Sequence, residues 1–260
     1  QKIAYANQFE HVERSRGREG CPLIVMMEEG WCWLIPLTET RTSVGMVLDA
    51  DVARKIGREQ NIAPNEMLRW GIARCPFLRD RMKNATGSET NIVAANFSYY
   101  CRPYSGAGYF LIGDAATFMD PIFSTGILIA ARGALACAEY IDKILDGNMN
   151  PARARANYNR LIENSTSVLY RLVRQYYDHS FRELFLMGKG PLGVHRAIIG
   201  LLSGNVVPKV PFKIRWRMKV FEFLIRRNRR KQLVPRRRRF SILHAKPGEW
   251  GRNPVAAQHV

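Results

Sequence analysis

A chain of 260 residues that is 47% hydrophobic has the length of one or two domains and can bury a sizeable core. Its formal charge of +18 points to anionic partners, and no apolar run reaches the roughly 18 residues of a membrane-spanning helix. The five cysteines (Cys21, Cys32, Cys75, Cys101 and Cys137) are scattered, with no Cys-x-x-Cys pair and no metal-ligand spacing. That usage argues against a disulfide framework or a bound metal and favours a reducing, cytoplasmic setting.

In chain order, residues 5–16 read as a strand entering a polar turn, and 23–27, 31–37 and 42–48 as three consecutive antiparallel strands. Alternation over 42–48 implies a sheet with one buried face. Residues 49–60 and 65–75 read as helices, the second opened by Pro64 and closed before Pro76. Residues 91–101 return as a strand, and the apolar run at 108–112 reads as a further, buried strand. A long helix follows over 124–145, with Ile127, Ala130, Ala131, Ala134 and Ala138 keeping one face small. Residues 151–187 form one long helix or a broken pair, and 188–191 interrupt the pattern. Short helices reach residue 202, and another spans 210–225. From residue 226 onward, prolines, low complexity and charge predict a mobile tail that folding does not need.

Two passages carry chemistry. Gly113-Asp-Ala-Ala-Thr-Phe-Met-Asp-Pro-Ile-Phe-Ser-Thr-Gly126 delivers an acid, Asp114, beside small Gly113 and Ala115. A bend at Pro121 follows, and then Ser124, Thr125 and Gly126 open a helix. Backbone N–H groups at such an opening lack intrahelical partners and sit at the positive end of the helix dipole, so they suit an anion or an electron-rich ring edge. An ordinary strand-to-helix connection with a capping serine would account for the same residues without a ligand. The second passage, Gly30-Trp-Cys-Trp-Leu-Ile-Pro-Leu37, sets Trp31 and Trp33 on one strand face, and Pro36 ends the ladder. Two aromatics on one face are also ordinary core.

The first passage resembles the second flavin-binding motif of the hydroxybenzoate-hydroxylase-like FAD enzymes. The second resembles the Trp-x-Trp-x-Ile-Pro motif of flavin-dependent halogenases. With both in this order, the chain resembles a flavin-dependent halogenase over at least residues 9–145. The resemblance implies an α+β fold: an antiparallel sheet plus the flavin-facing part of an FAD-binding fold, followed by a mostly helical C-terminal region. The expected divisions are a substrate-side sheet region at 1–107, the flavin strand-turn-helix at 108–147, a helical region at 148–225 and the basic tail at 226–260. No Gly-x-Gly-x-x-Gly turn for the ADP half of FAD is present, and Gly106-Ala-Gly108 reads as a turn. The chain is therefore expected to be the C-terminal part of a longer protein, with the family's catalytic lysine outside it.

The resemblance further implies that reduced FAD, oxygen and a halide ion yield an oxidant that halogenates an electron-rich aromatic or enol carbon. It assigns cofactor binding to Gly113, Asp114, Ala115, Pro121, Ser124, Thr125 and Gly126. Halide falls to the Thr125 and Gly126 backbone, and Trp31 and Trp33 form a wall between flavin and substrate. A separate flavin reductase would supply reduced FAD. Phe123 stands where tryptophan halogenases usually carry glutamate, which points to phenol or pyrrole substrates, including ones tethered to a carrier protein. A flavin monooxygenase, an isoprenoid reductase or an inactive remnant that binds an anionic partner are the competing readings.

Residues 209–239 hold fourteen Lys and Arg against Glu222 alone. A solvated end, docking on an acidic carrier protein or anionic membrane surface, and nucleic-acid binding are the three readings. The arginine runs have no interleaved aromatics, which places nucleic acid last.

Overall fold

The structure, a computed structural model, describes residues 1–87, 91–187, 193–205, 210–237 and 239–245. Chain contacts divide it into two compact units, residues 1–97 with 238–260, and residues 98–237. This division differs from the four expected regions, because the end of the chain belongs with its beginning.

The first unit is an antiparallel sheet with helices on one face. Its strands are β1 (Lys2–Glu10), β2 (Leu23–Met26), β3 (Gly30–Pro36) and β4 (Arg41–Asp49), in spatial order β2-β3-β4-β1. The helices α1 (Ala50–Glu59), α2 (Met67–Arg74) and α3 (Pro76–Met82) follow. Short strands β5 (Thr86–Gly87) and β6 (Ile92–Ala95) then pair with the free edge of β1. The period of two places Cys32, Leu34, Val44, Met46 and Leu48 on the core face, where they meet Ile56, Met67, Leu68 and Leu78. A third helix forms where the sequence reading stopped at Pro76. Proline there occupies the first helical position, where its missing N–H costs nothing.

The C-terminal segment closes this unit. Phe240 and Ile242 are buried in the same core. The Glu28 N–H donates to the Phe240 carbonyl at 2.8 Å. The buried Glu29 carboxylate accepts from the Ser241 hydroxyl and from the N–H groups of Ile242 and Leu243 at 3.2 and 3.4 Å. The expected mobile tail is thus corrected here. Two apolar side chains hidden among the basic residues, and one carboxylate aimed at their backbone, fix residues 239–245 in place. Residues 246–260, and with them the end of the expected tail, lie outside the described residues, as do Lys209, Arg238 and the expected break at 188–191.

The second unit begins with two small ribbons. Strand β7 (Tyr99–Tyr100) pairs with β10 (Thr117–Phe118), and β8 (Ser105–Gly106) with β9 (Tyr109–Phe110). Helices α4 (Gly126–Leu145), α5 (Pro151–Tyr176), α6 (His179–Phe185), α7 (Val194–Leu202) and α8 (Phe212–Arg230) complete it. Asn150 caps α5 by accepting from the N–H of Ala152 at 2.9 Å, and Asp178 caps α6 through the N–H of Ser180 at 2.8 Å. Tyr104, Ala116, Cys137, Tyr158 and Ile162 form one core cluster, and Met119, Ile129, Leu169, Leu201 and Val210 another. Helix α8 runs five residues past its expected end, with Asn228 buried and bonded to Glu183 at 3.0 Å. The fold is α+β, and among the described residues no helix is long and apolar enough to cross a membrane.

Candidate active site

The turn between β9 and α4 is shaped by a few local devices. Gly113 has φ 57°, the left-handed region that favours glycine. A Cβ at this position would come within 3.0 Å of the Ala130 Cβ, so glycine lets the turn pass close to α4. A short 3-10 turn over Gly113–Ala115 then leaves Asp114 and Ala115 exposed while Ala116 is buried. The Tyr99 hydroxyl donates to the Asp114 carbonyl at 2.8 Å and fixes that backbone.

The approach to this turn differs from expectation. Strand β9 is only two residues long, and Tyr109 is exposed rather than buried. It belongs to a tight hairpin whose turn is the Ala107-Gly108 pair, so Gly106-Ala-Gly108 is a turn. The segment is held instead from α5, where the Tyr158 hydroxyl donates to the Leu111 carbonyl at 2.7 Å. Burial raises the Tyr158 hydroxyl above the ordinary tyrosine range, which keeps it a proton donor.

Asp120 organises the second half of the turn. It is 5% exposed, and one carboxylate oxygen accepts from the Ile122 N–H at 3.1 Å, capping the 3-10 turn Pro121–Phe123. The other accepts from the Tyr177 hydroxyl. Ser124 then takes a left-handed conformation, φ 51°, and its N–H donates to the Pro121 carbonyl at 2.9 Å. For a non-glycine residue this backbone state costs on the order of 1–2 kcal/mol. Such strain concentrates at ligand sites.

Helix α4 starts at Gly126, two residues later than the sequence implies. No side chain caps it, so Ser124 is not the capping serine of the ligand-free alternative. Thr125 is buried, whereas Pro121, Ser124 and Gly126 are exposed, and a Cβ at Gly126 would meet nothing within 4 Å. First-turn N–H groups that no side chain caps, with room left around Gly126, have the chemistry for an electron-rich ring edge or a small anion.

Phe123 points into an aromatic cluster, edge-on to Tyr176 at 5.4 Å and to Phe185 at 6.2 Å. Burial, with a lesser push from the Asp120 carboxylate, raises the Tyr176 hydroxyl above its usual range. This wall has no acid at position 123.

Trp31 and Trp33 lie in the other unit. Trp31 is 2% exposed and Trp33 half-buried, with ring centroids 5.5 Å apart. They lie opposite Val47 and Gly45 of β4, on the face away from the helices, and the Trp33 Nε1 donates to the Ser43 Oγ at 3.1 Å. The structure thus brings Gly113, Asp114, Ala115, Pro121, Ser124, Thr125 and Gly126 together in one turn and pairs the two tryptophans on one sheet face. Sequence reasoning missed Asp120 and its partner Tyr177. The Asp-Pro pair, a turn-opening signal, was the available clue. No group of three or more metal-ligating side chains occurs among the described residues.

Comparison with known proteins bears on the same residues. The chain is 31% identical to a 1H-pyrrole-2-carbonyl-[peptidyl-carrier protein] brominase of Pseudoalteromonas luteoviolacea, over 57% of this chain and 36% of that protein. It is 28% identical to a tryptophan 2-halogenase of Chondromyces crocatus, over 64% of this chain and 31% of that protein. The solved structure of a flavin-dependent brominase superposes with a TM-score of 0.70 at 26% identity, covering 85% of this chain and 56% of the other. The chain thus spans about a third of the length of these curated relatives. The tryptophan halogenase family model matches residues 4–184, which include both the Trp31/Trp33 strand and the whole Gly113–Gly126 turn, and the chain belongs to that family.

Proposed function

We propose that this chain supplies the flavin-ring side and the helical part of a flavin-dependent halogenase acting on an electron-rich aromatic or enol substrate. The observation that carries this reading is the single family match enclosing both motifs. Bound FAD in its reduced form supplies the oxygen chemistry that turns halide into a halogenating oxidant.

The chain's own residues hold and separate the reactants. The exposed Asp114 carboxylate accepts hydrogen bonds from the ribityl hydroxyls, with Gly113 and Ala115 leaving room for them. Pro121 and the left-handed Ser124 aim the start of α4, whose N–H groups at Thr125 and Gly126 hold the halide as charge-assisted donors. Trp31 and Trp33 form an apolar wall that keeps substrate from the cofactor, so that halide reacts first.

The substrate class follows from Phe123. Phe123, packed on Tyr176 and Phe185, offers no carboxylate at its own position to take a proton from the substrate ring, which favours phenols or pyrroles over free tryptophan. Carrier-protein-bound pyrroles, named for the Pseudoalteromonas relative and for a chlorinase relative, support delivery on a carrier protein. A separate flavin reductase provides reduced FAD in a cytoplasmic setting. The basic segment over 209–239 serves contact with an anionic surface.

The test is a product assay on the full-length polypeptide with a flavin reductase, run with and without bromide on phenols and on carrier-bound pyrrole. Mass spectrometry should find brominated products only with bromide. Oxygenated products that form without halide would replace this reading with that of a monooxygenase.

A further inference from the structure

Helix α8 has two apolar faces. Phe221 and Ile225 are buried, and the Phe221 ring lies 5.1 Å from that of Phe181 in α6. On the opposite side, at about 100° per residue, Phe212, Trp216 and Phe223 fall within about 40° of one another. They are 72%, 46% and 59% exposed. Exposed cations border this line, Lys219 and Arg226 along one edge and Lys213 and Arg227 along the other. The helix's one acid, Glu222, lies off the line and accepts from the Gln175 side chain at 3.2 Å.

A helix with one face buried normally turns charge to solvent on the other. Three aromatics in a row there call for an apolar counterpart. The cations at both edges require that counterpart to be anionic at its rim. The headgroup zone of an anionic bilayer has both properties: aromatic rings settle at headgroup depth while Lys and Arg stems reach the lipid phosphates. A single strand of nucleic acid is instead held in a charged groove, and this face is convex. An acidic protein would have to offer a cleft that receives all three rings.

We propose that α8 is an interfacial helix that seats Phe212, Trp216 and Phe223 in the headgroup layer of an anionic lipid bilayer, with Lys213, Lys219, Arg226 and Arg227 against its phosphates. This deepens the anionic-surface reading and is independent of the halogenase chemistry.

The test is co-sedimentation of the protein with vesicles of phosphatidylcholine alone and of equal parts phosphatidylcholine and phosphatidylglycerol. The wild type should partition to the anionic vesicles at least ~10-fold better, and each cation changed to Gln should weaken binding about fivefold. The F212S/W216S/F223S variant, shown folded by circular dichroism, should lose about tenfold or more, including at high salt where charge alone fails. Brominated lipid should quench tryptophan fluorescence in the wild type and much less in Trp216→Phe. Anionic binding unchanged by the triple variant, with equal quenching in Trp216→Phe, would leave charge adsorption standing and overturn the interfacial helix. Absence of anionic-vesicle binding, or capture of an acidic carrier protein or an oligonucleotide through the same aromatics instead, would overturn the lipid assignment as well.

Discussion

Trp33 lies across the bare backbone of Gly45, its cross-strand partner. A Cβ built on Gly45 would fall 2.1 Å from the indole ring. Glycine at this point is what allows the ring to lie against the sheet beside Trp31 and to reach Ser43.

Gly45→Ala should therefore displace Trp33 and break its bond to Ser43, at a cost of roughly 1–3 kcal/mol. A lowered unfolding midpoint with a shift in tryptophan emission is the expected result. On the proposed function, halogenation by the full-length polypeptide should fall more than flavin content does, because the change disturbs Trp33 and leaves the Gly113–Gly126 turn untouched. An unchanged emission spectrum would show that the ring is not held against Gly45.

Asp114→Ala should loosen flavin. The change removes an exposed carboxylate whose backbone is already fixed by Tyr99, so fold stability should hardly move. The expected loss is about 1.5–3 kcal/mol of flavin affinity, the worth of hydrogen bonds to a charged group. Flavin content after gel filtration of the full-length protein measures it, and full retention would remove Asp114 from the cofactor site.

Both motifs and the sheet could be read from sequence because each rests on local rules. Period-two alternation put Trp31 and Trp33 opposite Cys32 and Leu34. The small and turn-forming residues from Gly113 to Gly126 marked a turn leading into a helix, whose start was read two residues early at Ser124. The parts that escaped are long-range. Nothing near Asp120 in the chain announces Tyr177, which is 57 residues away. The separation of 212 positions from Glu29 to Ser241 likewise hides the carboxylate that fastens the C-terminal segment. In α8, the arginine runs drew the eye from Phe212, Trp216 and Phe223, whose shared exposure depends on the opposite face being buried.

Ser124→Gly separates strain from function. Ser124 holds φ 51°, and glycine should relieve on the order of 1 kcal/mol, raising the unfolding midpoint. If the hydroxyl only tolerates the turn, flavin binding should hold or improve. If it contacts the cofactor, stability should rise while flavin affinity falls. The halogenase reading expects this second outcome, read from thermal melts beside flavin titration.

Truncation after Ile225 should destabilise the first unit. It removes Phe240 and Ile242 from the core, strips the Glu29 carboxylate of its three donors and opens to water the core face that this segment covers. Core side chains of this size are worth about 2–5 kcal/mol each, a large share of a domain's stability. It also cuts α8 short of Asn228 and its bond to Glu183. Glu29→Ala in the intact chain isolates one part of this effect, at roughly 1.5–3 kcal/mol. Hydrogen exchange at the Ile242 and Leu243 amides should then rise well above that of neighbouring core strands. A truncated chain that melted at the wild-type temperature would show that residues 239–245 add nothing to the fold, and would restore the reading of a dispensable tail.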